Sequence, residues 1–120
     1  MIGRVLSSLA VAYGCCQPGI ADSADVFKRL TTSEIRGRIV GKVVTDQSHW
    51  SDRFNRDGTL TAVDLGILKP GSWKLAGNEM CVVRKGKVSS SECFEIWMQS
   101  NQVQYRRDGI TFAEGVLRDE

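Results

Sequence analysis

From residue 38 onward the chain is cut at short, nearly regular intervals into segments rich in Val, Ile, Thr and aromatic residues. Asn55-Arg56-Asp57-Gly58, Ala76-Gly77-Asn78-Glu79 and Arg107-Asp108-Gly109 punctuate them. Asp-Gly supplies the positive φ that tight hairpins require. Segments this short, each followed by a turn, leave one class of fold: antiparallel strands that pair with their neighbours in sequence. The expected strands cover 38–45, 50–55, 59–64, 72–75, 80–84, 92–99, 102–106 and 110–117, with Lys69-Pro70-Gly71 as a loop. The spacing admits a meander closed into a small barrel or folded as a sandwich; the expectation is the barrel, an all-β domain of seven or eight strands. Within 92–99 the alternation puts Phe94, Ile96 and Met98 on one face and Cys93, Glu95 and Trp97 on the other.

One short helix should precede the strands. Thr31 can cap it while Glu34, three residues on, reaches back to the Thr31 amide. Leu30 and Ile35 occupy the two positions of a hydrophobic staple. Gly37 is placed to end the helix after little more than one turn.

A body of this size buries a modest fraction of its surface and gains from a covalent staple. Of the four cysteines in the 120-residue chain, Cys15 and Cys16 fall near the N-terminus and Cys81 and Cys93 fall in the body. The latter pair reads as a disulfide. Opposed in a hairpin centred on Lys87, Cys81 and Cys93 share a face, and Val82 lies opposite Glu92. Closing a loop of that length contributes about 3 kcal/mol.

The first residues have the layout of an export signal: Arg4, a short apolar run over residues 5–16, then small residues at Gly19-Ile20-Ala21. Cleavage after Ala21 would divide the chain into a signal peptide, 1–21, and a single barrel-like domain, 22–120. A lipoprotein reading competes, in which Ala12-Tyr13-Gly14-Cys15 serves as a lipobox and Cys15 is acylated. The apolar run is too short for a permanent transmembrane helix. Periplasmic or secreted localisation is expected, consistent with a disulfide.

Composition is that of a folded protein, 42% apolar and 25% charged, with a net charge of +2. So small a charge makes no electrostatic case for nucleic acid. Arg84, Lys85 and Lys87 form a basic cluster in an expected turn, read as a solvated loop. His49 is the sole histidine. Its neighbours in Ser48-His49-Trp50-Ser51-Asp52 do not make a triad by adjacency, because successive strand residues point to opposite faces. There is no CxxC, no phosphate-binding glycine loop and no dinucleotide fingerprint. Neither a metal nor a cofactor is expected. Asp52, Asp64, Glu95 and Glu114 could meet in a barrel mouth, but sequence alone does not place them at acid–base distances. Trp50, Trp73 and Trp97 are almost evenly spaced and either fill the core or line a ligand pocket. Phe54-Asn55-Arg56-Asp57-Gly58 echoes Tyr105-Arg106-Arg107-Asp108-Gly109, read as one hairpin recipe used twice.

The succession Leu30-Thr31-x-x-Glu34-Ile35, Gly41-x-x-Val44, Phe54-x-x-Asp57-Gly58-Thr59, Gly71-x-Trp73, Cys81 and Cys93 resembles a group of small exported bacterial β proteins of unknown function, over about residues 30–117. Trp73-Lys74-Leu75-Ala76-Gly77-x-x-x-Cys81 is similar to a stretch of the periplasmic inhibitors of secreted alkaline metalloproteases. That family is an eight-stranded barrel with a disulfide, and its N-terminal segment enters the protease cleft. The resemblance implies a corresponding role for residues 22–33. The inhibitors pair the matching cysteine with one upstream, whereas the partner open to Cys81 here is Cys93, downstream.

The leading expectation is an exported, non-catalytic binding module for an extracytoplasmic partner, with protease inhibition as its narrower form. The alternative is a small-ligand carrier with a Trp-lined cavity.

Overall fold

The computed structural model describes residues 26–86 and 88–119. The expected leader, its cleavage site after Ala21 and the alternative acylation site Cys15 lie outside them. In chain order the elements are β1 (Lys28–Arg29), α1 (Thr32–Arg38), β2 (Val43–Thr45), β3 (Trp50–Phe54), β4 (Thr59–Asp64), β5 (Ile67–Ala76), β6 (Glu79–Arg84), β7 (Ser90–Gln99), β8 (Gln102–Arg107) and β9 (Ile110–Arg118). From β2 to β9 each strand pairs antiparallel with the next, and β9 returns to β2 through Val44↔Leu117. The result is a closed eight-stranded antiparallel barrel preceded by one short helix. Closure leaves no free sheet edge among these eight strands. The two-residue β1 pairs with Met98 and Trp97 of β7, beyond the stretch of β7 that β6 covers.

Strand alternation sends Phe54, Leu60, Met80, Val82, Phe94, Ile96 and Val103 into the interior, where all are buried. The helix closes one end. Its capping box is complete: the Glu34 amide donates to Thr31 Oγ1 at 3.2 Å, and the Thr31 amide donates to Glu34 Oε1 at 2.9 Å. Leu30 and Ile35, the two staple positions, both join the core. The helix is tied to the β5–β6 turn by Thr32 and Asn78, each of whose amides donates to the other's side chain, at 2.7 and 3.0 Å.

Gly37 does not end the helix. It lies within the last turn, and Ile39 is the C-cap, with its amide on the Ile35 carbonyl and φ of −104°. The left-handed residue comes later, at Gly41, with φ of +89°. Burial of Ile39 and Val40 against the barrel carries the chain past the glycine.

Lys69-Pro70-Gly71 is likewise not a loop. It lies inside β5, and the turn falls earlier, at Leu65-Gly66. Continuing the β5–β6 register puts Pro70 opposite Lys85, whose amide donates to the Pro70 carbonyl at 2.9 Å. Proline has no N–H to return, so the ladder stops where β6 ends and the following loop is released. Gly71 allows β6 to approach: a Cβ there would lie 1.8 Å from the Val83 carbonyl oxygen.

The Cys81–Cys93 disulfide is formed, in the expected register with Val82 opposite Glu92. Both cysteines lie on the outer face, out of phase with buried Met80, Val82 and Phe94. In a meander, alternate turns lie at opposite ends. Those at 55–58, 77–78 and 100–101 share the helix end; those at 46–49, 65–66 and 108–109, with residues 85–86 and 88–89, surround the other end, the mouth. The two echoing hairpins are therefore at opposite ends. They also turn differently: Asp108 and Gly109 both have positive φ, whereas Gly58 alone does at the first.

Candidate functional site

Asp52 lies between Trp50 and Phe54 on the inward-facing alternation of β3, and its side chain is withdrawn from water. An ionised carboxylate there needs partners. Arg84 reaches it from β6, with Nη1 donating to Oδ1 at 2.7 Å and Nη2 to Oδ2 at 3.0 Å. The Tyr105 hydroxyl, from β8, donates to Oδ2 at 2.9 Å. Arg84 Nε lies 3.5 Å from Glu92 Oε2, and Arg107 Nη2 donates to Glu92 Oε1 at 2.7 Å. A polar network thus crosses the interior and joins β3, β6, β7 and β8. Burial, reinforced by the charge of Asp52 beside it, pushes the Tyr105 phenol well above its ordinary value, so it stays neutral. Burial alone would weaken the Arg84 cation, but the hydrogen bonds and charge of Asp52 outweigh it and hold the guanidinium protonated.

Above this network a cavity of about 330 Å³ opens at the mouth. Trp50, Phe112, Ala62 and Ala113 supply its apolar wall; Asp52, Arg84 and Tyr105 supply its polar one. Two inward-facing alanines leave the space: Ala62 is paired with Asp52, and Ala113 with Tyr105. The ring centroid of Tyr105 is 5.6 Å from that of Trp50, 4.3 Å from Phe94 and 6.2 Å from Phe112. The Arg107 guanidinium stacks 4.4 Å over Phe112. At the lip, Lys69 Nζ lies 3.3 Å from Asp64 Oδ2. Leu65, Ile67, Leu68, Val88, Ile110 and Phe112 are exposed on the turns and strand ends around this opening. Apolar exposure concentrated this way marks a contact surface more often than scattered single residues do.

The three tryptophans do not converge. Trp50 alone lines the cavity. Trp73 packs on the core at the helix end, its Nε1 donating to the Asn55 carbonyl at 2.7 Å. Trp97 is on the outer face of β7, where its Nε1 donates to Glu95 Oε1 at 2.8 Å and Arg106 stacks over its ring at 4.1 Å. Even spacing in sequence says nothing about convergence when strands wind around a barrel. The carboxylates divide in the same way. Asp52 and Asp64 reach the mouth, while Glu95 and Glu114 project from the outer face of the barrel, where Glu95 is buried and Glu114 accepts from Gln104.

His49 is exposed, with Nδ1 2.8 Å from Asp46 Oδ2. Partial burial of Asp46 opposes ionisation. The amides of Ser48, His49 and Trp50 and the His49 ring outweigh it and hold the carboxyl below its ordinary range. Of the basic cluster, Lys85 follows β6 at the mouth, Lys87 lies outside the described residues, and Arg84 is committed to the buried network rather than solvated. Among the described residues no cluster of three or more His, Cys, Asp or Glu could hold a metal. Nor is any helix among them long and apolar enough to cross a membrane. Of the segment 22–33, residues 22–25 lie outside the described residues; residues 28–29 are paired with β7, Leu30 is buried and Thr31 caps the helix, so this part is built into the barrel.

No family model, no curated protein and no solved structure matches the chain.

The Asp52–Arg84–Tyr105 contacts join residues 32 and 53 positions apart. The one local signal was an aspartate at the middle of an alternation whose outer members are Trp50 and Phe54. A charge on a core face requires partners elsewhere in the chain, but does not say which.

Proposed function

We propose that the protein binds a small amphipathic molecule in the mouth of its barrel and acts as a carrier. The observation that carries this reading is the cavity itself: an aromatic wall at Trp50 and Phe112 faces a fixed polar group at Asp52, Arg84 and Tyr105. Its volume of about 330 Å³ falls at the small end of the ~300–1,000 Å³ typical of ligand pockets, which combine apolar walls with a few placed polar groups. The exposed apolar rim gives such a molecule a path of entry. Binding without catalysis is part of the proposal, as is export: a disulfide at Cys81–Cys93 persists in an oxidising compartment. The carrier reading is preferred to a protease inhibitor because residues 28–33 serve the barrel and are not free to enter a cleft.

Tryptophan fluorescence, titrated with small lipids, sugars and aromatic alcohols, tests the proposal. A saturable change is expected for at least one class and is lost in Trp50→Phe, since Trp73 and Trp97 report from elsewhere. No saturable change across the panel, or an undiminished one in the variant, would reject it.

A further inference from the structure

Building on the reading that the mouth binds a ligand, we infer that this ligand is uncharged and carries a hydrogen-bond acceptor on a flat apolar body. The charged side chains lining the cavity come as two ion pairs, Asp52 with Arg84 and Asp64 with Lys69. Tyr105, whose neutral hydroxyl donates a hydrogen bond to Asp52, adds no charge. The wall is therefore neutral as a whole. A carboxylate or an ammonium entering it sheds water and meets no spare counter-charge. To find one it must displace a partner from the bidentate pair at 2.7 and 3.0 Å, which strands a buried carboxylate or guanidinium.

An uncharged acceptor meets no such obstacle, because the wall has donors to spare. A guanidinium carries five N–H groups. Arg84 commits one on each terminal nitrogen to Asp52 and turns Nε toward Glu92. Two N–H groups remain beyond these contacts. The indole N–H groups of Trp73 and Trp97 are spent on Asn55 and Glu95, while that of Trp50, on the cavity wall, makes no hydrogen bond among the described residues. Trp50 and Phe112 both lie near the Tyr105 ring, at 5.6 and 6.2 Å, and present the aromatic surface on which a flat body stacks.

Four naphthalenes of similar size test this, titrated calorimetrically at pH 7 into the full chain: a methyl ketone, an ethyl hydrocarbon, a carboxylate and a methylammonium, all substituted at the same ring position. The ketone should bind saturably, at least ten-fold tighter than either ion and more tightly than the hydrocarbon, and Ala113→Leu, which fills the cavity, should abolish its binding. An ion that binds as tightly as the ketone overturns the inference and leaves the mouth as a binding site. A hydrocarbon that binds as tightly removes the acceptor. Failure of all four to bind, or ketone binding unaffected by Ala113→Leu, overturns the mouth reading and this inference with it.

Discussion

Asp52 is the residue on which the interior depends most. It is only 2% exposed, and it holds both Arg84 and Tyr105 in place. Removing one partner of a buried ion pair leaves the other uncompensated. Asp52→Ala should therefore lower stability by about 3 kcal/mol or more, read from urea unfolding. Asp64→Ala breaks a pair at the solvent-exposed lip and should cost no more than about 1 kcal/mol. Equal losses would deny the buried network its structural role. Asp46 gives a pH signature. A carboxyl held below its ordinary value of 3.8 in the folded chain favours folding at pH above that value. That preference is lost as pH falls toward the folded-state value. Stability should thus decline below about pH 4, and the decline should be shallower in Asp46→Asn, as followed by thermal melts across that range.

At the scale of elements, Pro70-Gly71 inside β5 shows how a strand can be written with loop residues. Gly71→Ala puts a Cβ 1.8 Å from the Val83 carbonyl oxygen. Backbone must move, so the variant should lose about 3 kcal/mol or fail to accumulate as folded protein. Gly77→Ala, with nothing within 4 Å of its added Cβ, should lose less despite its φ of +60°. Near-identical unfolding midpoints would contradict the close approach of β5 and β6. The same two residues mark where sequence reading stops. Hairpins at Asp57-Gly58, Gly77-Asn78 and Asp108-Gly109 are legible because their chemistry is local. So are the capping box at Thr31 and Glu34, and the register of β6 and β7, which the cysteine pair reveals. Whether Pro-Gly makes a turn or continues a strand depends on how near the next strand comes, and that is set by closure of the whole barrel. The mouth is illegible for the same reason: Asp52, Arg84 and Tyr105 meet only once β9 has returned to β2.

At the scale of the whole molecule, the described residues form a short barrel plugged at one end by α1 and open at the other. Its two ends are stabilised differently. The helix end buries Leu30, Ile35 and Ile39 in a continuous apolar core. The mouth substitutes a polar network and leaves space above it. The disulfide clamps β6 to β7 on the outside, and replacing both cysteines with serine should cost about 3 kcal/mol, a large share of the roughly 5–15 kcal/mol on which small domains stand. Chemical unfolding of the Cys81→Ser, Cys93→Ser protein measures it; an unchanged midpoint would mean the barrel holds without the clamp. Whether the open end is a place for a ligand is answered most directly by amide and indole chemical-shift mapping during titration with the uncharged naphthyl ketone. The expected shifts are saturable and gather at the Trp50 indole, Ala62, Phe112 and Ala113, with the Trp73 and Trp97 indoles unmoved. Shifts centred on the outer face at Trp97 and Arg106, or none that saturate, would contradict a binding mouth.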